Sequence, residues 1–281
     1  MATHGGNIGR AGAQRARRHG EQAERTPQFV WLARAGLAAR GVVYAVIAVL
    51  ALKVAFGDGG GKTTNQQGAL KTIAHGPFGK VLLIVVAIGL AGYAIWRLVR
   101  AALGHGPEQR DSGSDRIAGL ASGIVYAALC VTAVKILLGA ATGSGTPKKA
   151  TGGVLDWPGG RALVVVAGLV MLGVAGYQAY KGIKRKFLEN SKTEQMSEKV
   201  ERGFTALGVF GHVARSVVFA LIGYGLIRAA IDYDAKQAVG LDGALAKLGD
   251  ASYGPWLLGL VAAGLLGFAA YSAADARYRK V

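Results

Sequence analysis

A repeated block most constrains the fold of this chain. Arg40-Gly41-Val42-Val43-Tyr44 aligns with Ser122-Gly123-Ile124-Val125-Tyr126 and with Arg215-Ser216-Val217-Val218-Phe219. Nine residues beyond the last aromatic of each block stands a basic residue, Lys53, Lys135 or Arg228. A second block recurs at separations of 49, 51 and 52 residues from the first: Gly89-Leu90-Ala91-Gly92-Tyr93, Gly173-Val174-Ala175-Gly176-Tyr177 and Gly267-Phe268-Ala269-Ala270-Tyr271. Self-similarity at a fixed period sets the architecture ahead of any local propensity, so the chain reads as three copies of one two-helix unit. The units span 29–101, 113–187 and 203–278, after a basic tail at 1–28.

Each unit holds two apolar blocks, at 35–56, 77–96, 117–139, 160–180, 204–231 and 254–274. Each is close to the ~20 residues that carry a helix across a ~30 Å hydrocarbon layer. With 52% hydrophobic and 17% charged residues the chain is too apolar for an ordinary soluble surface. No polar alternation marks the blocks as barrel strands, and helices satisfy their backbone internally. The expected fold is an all-α integral membrane protein with six transmembrane helices, arranged as three tandem hairpin repeats with pseudo-threefold symmetry.

Lys and Arg fix the expected orientation, because basic residues in short flanks are retained on the cytoplasmic side. The tail to Arg40, the connections 97–116 and 181–202 and the C-terminal end carry 21 of them, against eight in 57–80, 140–161 and 231–254. Both termini are therefore expected in the cytoplasm, and the protein in the bacterial cytoplasmic (inner) membrane as a multi-pass protein. The net charge of +17 then faces anionic lipid headgroups. No nucleic-acid partner is expected. The arm Arg10, Arg15, Arg17, Arg18 and Arg25 has no aromatic before Phe29 to stack on a base. Its Gly, Ala, Gln and Arg content predicts disorder. Arg17-Arg18 is followed by polar sequence rather than by an apolar core, so no export cleavage is expected.

The connection inside units one and three contains Gly68-Ala69-Leu70-Lys71 and Gly243-Ala244-Leu245-Ala246. Apolar residues there recur at three- and four-residue spacing, which predicts short amphipathic helices at the outer interface. The next helix is expected to open at Pro77 or Pro255. Leu37 to Tyr44, Gly68-Ala69-Leu70 with Gly76-Pro77-Phe78-Gly79, and Gly89 to Arg97 together resemble the bacterial membrane-protein family called domain of unknown function 1206. The resemblance covers nearly everything after residue 28 and is weakest in unit two, where Asp156-Trp157-Pro158 is shifted by three residues. It implies a membrane location and tandem two-helix repeats, and no activity. The mitochondrial carriers are similar only in having three two-helix repeats, since their proline-acid-basic signature is missing here.

Catalytic chemistry finds little support in the residues. Gly57-Asp58-Gly59-Gly60-Gly61-Lys62-Thr63 lacks the glycine spacing of a phosphate loop. The six blocks contain no Asp or Glu, only Asp156 and Asp275 touch block ends, and neither has a partner close in sequence. His212 reads as packed or interfacial, and Cys130, the only cysteine, as an inert buried thiol. Neither an enzyme nor a cofactor or metal site is expected. Gly41, Ala45 and Ala48, Gly119, Gly123 and Ala127, and Gly259, Ala263 and Gly267 are expected to let helices approach. Tyr93, Trp96, Tyr177, Tyr180 and Tyr271 are expected as an interfacial belt; Tyr44 and Tyr126 lie deeper and stay open between belt and interior path.

The candidate site is basic. Lys53, Lys135 and Arg228 share one depth near the outer ends of the odd helices, where they either snorkel to phosphates or form a ring that holds an anion. Arg40 and Arg215, equivalent to each other in the first block, complete the headgroup or anion candidates. The expected function is non-catalytic binding of lipid or of a membrane-protein partner, the alternative a channel or carrier for an anionic or neutral solute.

Overall fold

The structure is a computed structural model that describes residues 27–57, 66–103, 113–140 and 147–280. The basic tail up to residue 26 and most of the glycine-rich 57–63 segment lie outside the described residues. Nine α-helices form among the described residues: α1 Pro27–Ala55, α2 Gln66–His75, α3 Gly79–Leu103, α4 Gly113–Leu137, α5 Pro147–Leu155, α6 Gly160–Ile183, α7 Glu198–Ile231, α8 Leu241–Gly249 and α9 Gly254–Tyr278. Six of them, α1, α3, α4, α6, α7 and α9, are long and apolar enough to cross a membrane. Their apolar residues run around the whole circumference, as helices packed on one side and bathed in lipid on the other require.

The six long helices pack in a row. α3 lies between α4 and α1, α1 between α3 and α9, and α7 between α9 and α6. Close approach at every joint depends on a missing side chain. A Cβ on Gly89 would come 2.7 Å from Ala39 of α1, one on Gly41 3.0 Å from the Ala269 carbonyl of α9, and one on Gly211 2.7 Å from Phe268 of α9. The same holds at Gly123 against Leu98 and at Gly223 against the Gly168 carbonyl. Small residues drive membrane helix packing, as expected, but not everywhere at the expected positions. On α9 the tight residue is Gly264 against Ala214, whereas Gly259 and Gly267 make only ordinary contacts and Ala263 is exposed.

Unit two departs from the hairpin plan. Its helices α4 and α6 stand at opposite ends of the row and form no interface comparable to the other five among the described residues. Both are the least buried spans, with Ile117, Leu120, Ile124 and Val125 on α4 and Leu163, Val166, Leu169 and Val170 on α6 exposed.

Short helices cover the end of the row remote from the start of α1 and the finish of α9, hereafter the loop end. α2 packs on α1, α3 and α4, and α8 on α1, α7 and α9. The matched tripeptides do the same work in both: Ala69 and Leu70, like Ala244 and Leu245, are fully buried. Unit two contains a third short helix, α5, against α6 and α7, which the spacing argument had placed only in units one and three. Pro255 sits in the first turn of α9, but Pro77 lies in the turn ahead of α3, which starts at Gly79.

Candidate functional site: a basic cluster on the inner face of the helix row

Side chains from helices that do not pack on each other meet at one side of the row, so the row curves around an interior. Arg215 of α7 stacks on Tyr44 of α1, although α9 separates the two helices. Lys181 of α6 lies within electrostatic range of Arg97 of α3 and Arg40 of α1, and Tyr126 of α4 within range of Arg215.

At the end where α1 begins and α9 finishes, hereafter the terminal end, this interior is strongly basic. Arg40 donates from Nε to the Ser272 hydroxyl at 3.1 Å and from Nη1 to the Tyr93 hydroxyl at 3.2 Å. Its Nη2 lies 3.5 Å from Asp275 Oδ2, and Arg279 donates to the same oxygen at 3.2 Å. Arg97 donates to Tyr93 at 3.0 Å, so that phenol oxygen accepts from two guanidinium groups and its own proton is free to be donated. The guanidinium carbons of Arg40, Arg97 and Arg279 all lie within 5.7 Å of the Tyr93 or Trp96 ring centroids. Burial works against the charge on Arg279, but the Asp275 carboxylate and nearby phenols more than offset it and raise its pKa above the ordinary arginine value. Cation–π contact and one carboxylate thus hold the three guanidinium groups together, and Lys181 lies within electrostatic range of them and of Asp275.

Backbone connections place these groups. The turn after α6 runs into a 3₁₀ segment at Lys186–Asn190, and Phe187 from it is fully buried against Phe204, Tyr271 and His212. The chain beyond α9 is tied to this connector by Lys192 N–H to Tyr278 O at 2.7 Å and Lys280 N–H to Asn190 O at 2.9 Å. Those bonds hold Arg279 over Asp275. Arg185, with φ 54°, reverses the chain at the start of the connector.

Several sequence expectations change here. Asp275 does have a partner close in sequence, since Arg279 is one helical turn on and the two share a face. Tyr93, Trp96 and Tyr271 are buried in the interior rather than belted at a lipid interface, while Tyr177 and Tyr180 are exposed. Tyr44 is buried against Phe268, and Tyr126 meets the Tyr93 ring at 4.5 Å. Cys130 is only part-buried, its thiol directed at the Ala87 carbonyl. His212 is packed, with Nδ1 2.7 Å from the Gly208 carbonyl and its ring stacked on Phe187.

Of the basic candidates, Arg40 and Arg215 share the Phe268 ring, at 5.0 and 4.4 Å from its centroid. Lys53, Lys135 and Arg228 are exposed, no contact joins them among the described residues, and Arg228 pairs with Asp232 at 2.9 Å. Long basic side chains at exposed helix ends place their stems along apolar surface and their charge in water. Arg97, Lys181 and Arg279 were missed because each sits just beyond an apolar block, where a basic residue reads as a flank. The one legible signal was Arg279 one turn after Asp275.

Among the described residues no group of three or more His, Cys, Asp or Glu side chains is arranged to hold a metal. The chain is similar to Uncharacterized protein YxxB of Bacillus subtilis (strain 168), with 32% identity over 252 residues that cover 89% of this chain and 90% of the relative. No solved structure matches. The family described as Domain of Unknown Function (DUF1206) matches three times, at residues 35–109, 117–185 and 210–279. With the tandem match covering most of the chain and six helices fit to span a membrane, this chain belongs to the DUF1206 family.

Proposed function

We propose that this protein is a non-catalytic, multi-pass protein of the bacterial cytoplasmic (inner) membrane that binds the headgroup of an anionic phospholipid at its terminal end. The observation that carries this reading is the charge imbalance around Asp275. Arg40 and Arg279 both pair with the Asp275 carboxylate through a single oxygen, Lys181 lies within electrostatic range of that carboxylate and of Arg97, and Arg97 shares the Tyr93 hydroxyl with Arg40. Charge at membrane depth is costly unless paired, and a basic pocket between helices is a recurrent form of headgroup recognition. A phosphodiester supplies the missing negative charge and acceptors for the guanidinium forks. The exposed aliphatic side chains of α4 and α6 offer acyl chains apolar surface beside the bundle.

The experiment is lipid retention by the purified full-length protein, read by native mass spectrometry after delipidation and re-addition. Phosphatidylglycerol or cardiolipin is expected to remain bound where phosphatidylcholine does not. The double variant Arg97→Gln, Lys181→Gln is expected to lower anionic-lipid affinity at least tenfold while keeping the Arg40–Asp275–Arg279 network. Equal retention of neutral and anionic lipid by parent and variant would reject the reading.

A second reading, a carrier for an anionic solute, is favoured by one observation: side chains of all six long helices come within electrostatic or ring contact of the same interior. Its test is anion flux in proteoliposomes. Against it, α2 and α8 cover the loop end.

A further inference from the structure

Arg215 poses a separate problem from the Asp275 cluster. It stands halfway along α7, where a permanent charge is expensive. Its guanidinium carbon lies 5.4 Å from the Tyr44 ring centroid, 5.1 Å from Phe219 and 4.4 Å from Phe268. Three rings stabilise the charge, but their faces do not use the in-plane N–H donors. Among the described residues Arg215 makes no hydrogen bond and no ion pair, and its Nε is buried without a partner. Arg40, its repeat equivalent, has Ser272, Tyr93 and Asp275.

Beside that guanidinium is a cavity of about 120 Å³. Apart from Arg215 and the two rings Tyr44 and Phe219, its wall is aliphatic: Val218, Ile222, Leu241 and Leu265. Leu241 begins α8, so the short helix at the loop end contributes to the cavity wall.

We propose that this cavity binds a monocarboxylate with a short aliphatic tail, its two oxygens accepting from Arg215 and its tail lying against the four aliphatic side chains. Three features select this class. A single guanidinium fork matches a carboxylate of one charge and two oxygens. A phosphate would leave oxygens facing valine, isoleucine and leucine, where unpaired acceptors are costly. The volume, room for about four water-sized groups, suits acids of two to four carbons. A free short-chain acid and the carboxyl end of a membrane fatty acid share this chemistry, and chain length separates them. The inference goes beyond the headgroup reading and shares no residue with its test.

The full-length protein in lipid nanodiscs would be titrated with acetate, butyrate and palmitate at constant ionic strength, binding being read by saturation-transfer NMR and by thermal shift. Butyrate is expected to bind saturably and to raise the melting temperature where equimolar chloride and phosphate do not. Arg215→Gln is expected to weaken butyrate at least tenfold. Leu241→Phe, which narrows the cavity and leaves the cation, is expected to keep acetate and lose butyrate, so the test survives if the arginine variant does not fold. Arg97→Gln, Lys181→Gln should bind butyrate as the parent does, whatever becomes of lipid retention. Palmitate competing with butyrate would assign the source to the membrane, and palmitate without effect would assign it to a soluble acid. No saturable butyrate binding by the parent, or butyrate binding unchanged in both Arg215→Gln and Leu241→Phe, would overturn the proposal.

Discussion

Among the described residues the Asp275 carboxylate pairs only through Oδ2, with Arg40 at 3.5 Å and Arg279 at 3.2 Å, while Oδ1 is buried without a partner. Losing a lone carboxylate between two buried guanidinium groups is costly, because its removal strands both cations. Asp275→Asn keeps the volume and removes the charge. It is expected to destabilise the protein by about 3–5 kcal/mol, the range for breaking one side of a buried pair, seen as a fall in melting temperature of detergent-purified protein. Arg228→Gln, which breaks a pair exposed at a helix end, is expected to cost no more than about 1 kcal/mol. The contrast shows why spacing alone singled out Arg228 as readily as Arg40: sequence gives the depth of a basic residue, and only the partner across the bundle gives its burial.

At the scale of elements, the long helices were legible to within a few residues at most of their ends because their apolar runs have nothing else to do. The short helices were legible where several aliphatic residues mark the buried face, in α2 and α8, and missed in α5, whose Lys148-Lys149-Ala150-Thr151-Gly152-Gly153 run holds no larger aliphatic residue before Val154. The connector after α6 was the least legible element. Its polar composition reads as a loop, yet Phe187 is fully buried, and a Cβ on Gly208 would come within 2.5 Å of its ring. One aromatic therefore anchors a segment that also holds the chain after α9. Phe187→Ala is expected to cost about 3–5 kcal/mol through the cavity it leaves. It should also free the exposed Lys184-Arg185-Lys186 run, so that limited trypsin digestion there quickens at temperatures well below unfolding. If cleavage in the variant matches the parent, the anchor is not Phe187.

For the whole molecule, the repeat announced three two-helix units but could not announce how they join. Two units keep their helices together, whereas α4 and α6 part to the ends of the row, and nothing in a pairwise match of short blocks distinguishes these outcomes. Unit two also lacks the arginine that heads the first block in units one and three, having Ser122 in its place. The inner face consequently has its guanidinium groups on α1, α3 and α7 and after α9, and none on the described part of α4 beyond Arg116.

The expected orientation rests on the same distribution of charge. The terminal end collects Arg40, Arg97, Lys181, Arg279 and the connector lysines, and basic flanks are held on the cytoplasmic side during insertion. Ser197 in the connector and Ser252 in the turn before α9 are both exposed and lie at opposite ends of α7 and α9, which suits them as reporters. In a Cys130→Ala background, Ser252→Cys is expected to react with a membrane-impermeant thiol reagent in intact cells, and Ser197→Cys only after lysis. The reverse pattern would place the Asp275 cluster at the outer leaflet and move the proposed headgroup site with it. Labelling of both in intact cells would mean that the chain inserts in two orientations, which the excess of basic residues on one side argues against.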